Sequence, residues 1–277
     1  MVAINLTRLN KELDALLQKY DSPQAFHKQL HHFLSFYHQY AHRQHKDGIP
    51  ESFMRQYNLP KQIMPQLELT LRTKAHTSPE ESFALIEELW NDEYFEARDL
   101  ACFLLGQQKT EHASKVMAIV EDWLSQPQDR AVVASIFDKA IVGVLNTTPE
   151  MVSQLIKSLL SSKEIRRQNW GLIALNVFLP KASSNDLPMV YNLIRPFIAQ
   201  SDLMVQARLT DLVEALAKRS PGEMAYLLKE VLADTEGAEI EQRLRRYLDF
   251  FEDDFSESIH AAIKAHAKVR LKPFSDG

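Results

Sequence analysis

Apolar positions in this chain recur at helical spacing, and the clearest case is Lys163 to Phe178, KEIRRQNWGLIALNVF. Its Ile165, Trp170, Leu172, Ile173, Leu175, Val177 and Phe178 cover more than half of a helix circumference, which predicts a helix buried on most sides. Arg167 precedes the apolar run. The same arrangement returns where Arg98 precedes DLACFLL, Arg208 precedes LTDLVEAL and Arg243 precedes LRRYLDFF. A further copy, ASIFDKAIVGVL, carries Ala134 in the arginine's place. These positions lie 33 to 41 residues apart. A period in that range, with two helices per unit, predicts an α-helical solenoid.

Helix starts give the same period independently. Ser22-Pro23, Ser78-Pro79, Thr148-Pro149 and Ser220-Pro221 each put a capping residue before a proline suited to the first helical position. Glu81 and Glu223 stand where capping boxes need them. The steps from 78 to 148 and from 148 to 220 are 70 and 72 residues, two repeats each. Helix pairs are expected at 79–91 with 92–108, 111–126 with 128–147, 148–161 with 163–179, 184–200 with 202–219, and 221–234 with 236–252. No linker or low-complexity stretch interrupts them. One domain, 1–277, is expected: non-repeating helices over 1–76, repeats over 77–254, and a capping helix and tail over 255–277.

Composition supports helices. Apolar residues make up 45% of the 277, only seven residues are glycine, and no run of alternating polarity is long enough for a sheet. The net charge of −5 gives nucleic-acid binding no support on average, so any cationic face must be local. Arg166-Arg167, Arg243-Arg245-Arg246 and the acid-free stretch 259–273 are such places. The single cysteine, Cys102, lies inside an apolar helix and reads as a buried, inert thiol. The N-terminal MVAINLTRLNKELDALL has no apolar core before its first charges, and no segment reaches membrane-spanning length. A cytoplasmic protein with no membrane partner is expected. No phosphate-cradling glycine loop, HExxH or Ser/His/Asp pattern is present, and no cofactor or metal is expected.

Residues 24–46 hold six histidines, two lysines, one arginine and no acid. On a helix His27, His31, His38, His42 and His45 share one face, beside an apolar stripe of Phe26, Leu30, Phe33, Tyr37 and Ala41. Three readings stay open. The i, i+4 pairs could chelate a metal, although the stretch itself offers no carboxylate or cysteine. The face could touch phosphate, or it could simply be solvated.

Three stretches carry a family resemblance. Tyr37 to Arg55 ends in a Tyr-rich helix and a Gly48-Ile49-Pro50-Glu51 turn; 81–105 is ESFALIEELWNDEYFEARDLACFLL; Gln206 runs without gaps to Ala217-Lys218 and Pro221. Together they resemble the AlkD-type DNA alkylation repair proteins, which are HEAT-like repeat proteins. The resemblance implies an all-α HEAT-like solenoid, a right-handed superhelix of antiparallel helix pairs with an N-terminal helical cap. It also implies binding of alkylated or distorted duplex DNA in a concave cleft and excision of N3- or N7-alkylated purines. The family's aspartate falls on Asp138 and its arginine on Arg167.

A cationic purine needs no protonation to leave, so a carboxylate that stabilises the developing sugar cation is the useful group, as in glycoside hydrolysis. Asp138, one turn after Ala134 and two after Arg130, would supply it, with Arg130 keeping it ionised. Arg98, Arg130, Arg166, Arg167, Arg208, Arg243 and Arg246 are the candidate phosphate contacts. Two family tryptophan positions are occupied by Ala134 and Asp211, which removes stacking surfaces and sets an acid against phosphate. The alternative for the arginines is pairing with carboxylates of neighbouring repeats. The protein would then be a non-catalytic scaffold that holds a peptide or protein partner. A monomer is expected in either case.

Overall fold

The computed structural model describes residues 5–38, 54–200 and 202–271. The expected Gly48-Ile49-Pro50-Glu51 turn, Ala41, His42, His45 and Lys272 lie outside them. Among the described residues the chain is helical throughout, and the only β-type pairing is an isolated bridge between Arg55 and Tyr94. It is an all-α helical repeat fold built as two compact units, 1–153 and 154–277. No helix among the described residues is long and apolar enough to cross a membrane.

In the first unit α1 (Leu6–Leu17), α2 (Pro23–His38) and α3 (Ile63–Thr77) precede the expected pairs. The pairs follow as α4 (Pro79–Trp90) with α5 (Phe95–Gly106), then α6 (Ala113–Trp123) with a broken second member. That member comprises α7 (Arg130–Ser135), a π-helical turn over Ile136–Ala140, and α8 (Val142–Thr147). The helix α3 was not marked by the arginine spacing. Its Ile63, Leu67, Leu71 and Ala75 are fully buried at i, i+4, i+8 and i+12, so it joins the stack against α5.

The chain crosses into the second unit within α9 (Pro149–Leu160). There α10 (Ile165–Phe178), α11 (Leu187–Ile198), α12 (Leu203–Arg219), α13 (Pro221–Asp234) and α14 (Ala238–Arg245) continue the alternation. The last helix, α15 (Asp253–Arg270), covers α13 and α14. First helices pack on first helices (α11 on α13) and second on second (α10 on α12), giving two layers with the apolar residues between them. Trp170 is buried, as its position on the apolar face predicts.

The proline starts hold at all four places: Pro23, Pro79, Pro149 and Pro221 each open a helix. The capping boxes do not form. Ser78 and Ser220 have ψ near 70° instead of the extended cap geometry, and neither side chain caps its helix. Ser78 also terminates α3, giving its N–H to the Lys74 carbonyl, so it serves two helices and is free to shape neither end fully. The Ser220 hydroxyl turns instead to the Glu223 carboxylate.

Two glycines decide how closely the second helices of the first unit approach. A Cβ on Gly106 would lie 2.0 Å from the Lys139 carbonyl oxygen, and one on Gly143 would lie 2.6 Å from the Gly106 carbonyl oxygen. Both are backbone atoms that cannot swing aside. Helix α5 therefore meets the π-helical turn main chain to main chain, and only glycine permits it.

Candidate functional site

The predicted catalytic carboxylate, Asp138, sits in the π-helical turn, where the Ile141 N–H bonds to the Ile136 carbonyl at 3.3 Å. Such wide turns inside helices are frequent at functional sites. Asp138 itself is exposed, and its neighbour Lys139 is half-buried. Lys139 Nζ lies 2.7 Å from Asp99 Oδ2 and 2.6 Å from Glu68 Oε1, while the Ser135 hydroxyl donates to Asp99 Oδ1 at 2.6 Å. The partly desolvated surroundings raise the Asp138 pKa, Lys139 opposes the rise and Asp99 adds to it. No ion pair joins Arg130 to Asp138. The wider turn takes Asp138 out of the 3.6-residue register that would set it under Arg130, so the expected stabilisation by that arginine is replaced by proximity to Lys139.

The candidate arginines divide into three kinds. Arg130, Arg166 and Arg246 are exposed, and Arg167 is half-buried. Of these, Arg166 bonds Glu164 at 3.1 Å and lies over the Trp170 ring; the side chains of Arg130, Arg167 and Arg246 have no ion-pair or hydrogen-bond partner among the described residues. Arg98 and Arg208 are tethered. Arg98 Nε donates to the Asp92 carbonyl at 2.9 Å, with the guanidinium over the Trp90 ring, and Arg208 lies 3.8 Å from Asp211 one turn on. Arg243 is different. It is 8% exposed and donates to the Ile198 carbonyl at 2.9 Å, at the end of α11, so it cannot present its charge to a phosphate. That expectation is corrected: the apolar LRRYLDFF run draws its preceding arginine inward.

Of the ladder arginines, none is locked to a carboxylate of the next repeat among the described residues. Other cations tie neighbouring repeats, through carboxylates or carbonyls. Lys139 bridges α3 and α5, Arg195 pairs with Glu230 and Asp234 of α13, and Arg219 donates to the Leu179 and Ala182 carbonyls. Asp211 is largely exposed where stacking would need an aromatic. Elsewhere Trp90 and Trp123 stack face to face, 3.7 Å between centroids and 7° from parallel, closing the ends of α4 and α6. Cys102 is fully buried, and burial pushes its thiol well up.

A second cluster is one that reading by sequence neighbourhood missed. His27 and His31, one turn apart on α2, meet Asp92 in the turn between α4 and α5. His31 Nε2 is 2.8 Å from Asp92 Oδ2 and 3.0 Å from His27 Nε2, and His27 Nε2 also contacts Asp92 Oδ2. The outer ring nitrogens are held as well: His31 Nδ1 is 2.6 Å from the Tyr57 hydroxyl and His27 Nδ1 is 3.2 Å from Glu88 Oε1. Asp92 Oδ1 accepts the Tyr94 N–H at 2.8 Å, and Tyr94 stacks on Tyr57. Burial pushes the Asp92 carboxyl up, but bonds from His27, the Tyr94 N–H and His31 outweigh it and leave the pKa below the usual value. His27, His31, Asp92 and Tyr94 line an open cleft together with Asn91 and Glu93. His38 is exposed and contacts the Tyr57 carbonyl, apart from this group.

Comparison with protein-family models gives one decisive match: the model described as DNA alkylation repair enzyme covers residues 51–247, more than two thirds of the chain. The chain belongs to this family. No curated protein and no solved structure matches it significantly. The DNA alkylation repair match takes in Asp92, Asp138 and every candidate arginine. It begins after His27 and His31, so the histidine half of the second cluster stands outside it.

Proposed function

We propose that the protein engages duplex DNA through its phosphate backbone and, as the narrower reading, releases N3- or N7-alkylated purines. The observation that carries this is the DNA alkylation repair family match over 51–247. Arg130, Arg167 and Arg246 support it, being unpaired cations that can take phosphate oxygens without first breaking an internal bond. Arg98, Arg166 and Arg208 are secondary contacts because each already has a partner. In the excision step the bond from the sugar C1′ to the base nitrogen breaks, and both electrons leave with the base, which becomes neutral. The Asp138 carboxylate stabilises the cationic sugar until water adds to C1′ and a proton is lost. No cofactor is needed, and the protein acts as a monomer.

A second reading is favoured by one specific observation, the exposed Asp211 and small Ala134 where the family resemblance calls for tryptophans. It is a non-catalytic scaffold that holds a protein or peptide.

Binding of a labelled duplex, measured while salt rises from 50 to 200 mM, separates the two. Backbone binding weakens steeply, and Arg167→Gln lowers the log–log slope by about 0.9 while leaving stability within about 0.5 kcal/mol. A protein with no affinity for duplex at low salt is the scaffold. Free-base release from methylated duplex then tests excision. Asp138→Asn is expected to slow release by about 100-fold. Because the folded state raises the Asp138 pKa, the ionised carboxylate opposes folding above its usual range, so the asparagine variant should melt no lower than the parent at pH 7. Release by Asp138→Asn at the parent's rate removes the assigned role; no release by the parent removes the activity.

A further inference from the structure

Three side-chain atoms from two distant stretches converge at the mouth of the first unit's cleft: His27 Nε2, His31 Nε2 and Asp92 Oδ2, all within 4.8 Å of one another. We propose that they form a binding site for a first-row divalent transition cation, and that zinc is the ion this donor set suits. Two imidazoles and one carboxylate are the protein ligands of open zinc sites, which keep further positions for water or substrate. The i, i+4 spacing on α2 sets both rings on one face. Phe26, Leu30 and Leu34 are fully buried beside them, so the helix that carries the rings is fixed by its core side.

The outer shell is a second, independent observation. A metal-bound histidine gives its other N–H to an acceptor that fixes ring orientation and tautomer. Both acceptors are in place, the Tyr57 hydroxyl for His31 Nδ1 and Glu88 Oε1 for His27 Nδ1. The third ligand is held too, since the Tyr94 N–H occupies Asp92 Oδ1 and leaves Oδ2 to face the histidines. A solvated histidine face has no reason to supply an oriented partner at every outer atom. Zinc bonds of about 2.0–2.1 Å in a tetrahedron separate ligand atoms by about 3.4 Å. The observed 2.8 and 3.0 Å therefore need to open by about half an ångström, and the closer His27–Asp92 contact by more. The remaining coordination positions would face the cleft beside Asn91 and Glu93.

This site shares no side chain with Asp138 or the candidate arginines, although Arg98 bonds the Asp92 main-chain carbonyl, so it stands or falls without the excision reading. The test uses tag-free, full-length protein stripped with chelator and dialysed against micromolar zinc chloride. One zinc per chain is expected, together with a rise in Tm that zinc alone produces. Cobalt(II) in its place should give the visible absorption of a four- or five-coordinate site. Asp92→Asn and His31→Ala should each weaken zinc binding by more than about 100-fold, and Tyr57→Phe by about 10-fold. His32→Gln, on the neighbouring exposed face of α2, should retain the full equivalent. Asp92→Asn keeps the side-chain volume and decides the matter if His31→Ala does not fold. A parent that takes up no stoichiometric zinc overturns the proposal, and so does an Asp92→Asn variant that binds zinc as tightly as the parent.

Discussion

The two units tie their successive helices together in different ways. In the first, Lys139 is held between Asp99 and Glu68, with Ser135 completing the group. In the second, Arg195 pairs with Glu230 and Asp234 at the surface, while other arginines reach main-chain carbonyls: Arg243 to Ile198, and Arg219 to Leu179 and Ala182. Those carbonyls lie at or just past helix C-termini, where the last turn has unsatisfied acceptors and the helix dipole is negative. A carboxylate tie commits two ionised groups to a half-buried place. A carbonyl tie commits one cation and settles an acceptor that would otherwise lack a partner.

The comparison makes the first unit the more fragile to loss of a single charge. Lys139→Met should cost about 3–5 kcal/mol, because it strands Asp99 and Glu68 near one another without a counter-charge. Urea unfolding at pH 7 measures it, and a loss below about 1 kcal/mol would show the network to be solvated. Arg243→Met should cost about 2 kcal/mol, the penalty of one unsatisfied carbonyl softened by apolar replacement of the stem. The same variant should bind DNA as the parent does at equal folded fraction. A large drop would return Arg243 to the interface.

The smallest effect comes from a neutral tie. Tyr20 is fully buried, with its hydroxyl 2.8 Å from Ser82, and burial pushes its pKa to about 12. The folded pKa is raised, so its contribution is complete below pH 10 and is lost as pH rises from 10 to 12. By pH 11 the loss should reach about 1 kcal/mol. Tyr20→Phe should remove that part of the alkaline slope, read from urea midpoints at pH 8, 10 and 11.

Much of the fold was legible because burial repeats. The apolar stripes and proline starts locate the helix pairs of 79–234 to within a few residues, but the last expected helix, 236–252, ends at Arg245 and gives way to a short 3-10 turn over Leu248–Phe250. The break between α7 and α8 was not legible, and the close backbone approach of Gly106 to that turn joins residues 30 and more positions apart. The site divides similarly. Trp170 and Cys102 follow from local periodicity, and the spacing of His27 and His31 was visible. Their carboxylate was not, since Asp92 lies 61 residues beyond His31 and is delivered only when α2 packs on α4. Arg243 misled because a sequence spacing tells which face a residue shares but not how far neighbours close over it.

The paired rings of Trp90 and Trp123 have a spectroscopic consequence. Two indoles this close and parallel should couple their excited states, giving a circular-dichroism couplet that vanishes when either is replaced by phenylalanine. Their emission should also differ from that of the lone Trp170. Nature has thus placed a proximity gauge at the ends of α4 and α6, and a change in their spacing would register optically without any added label.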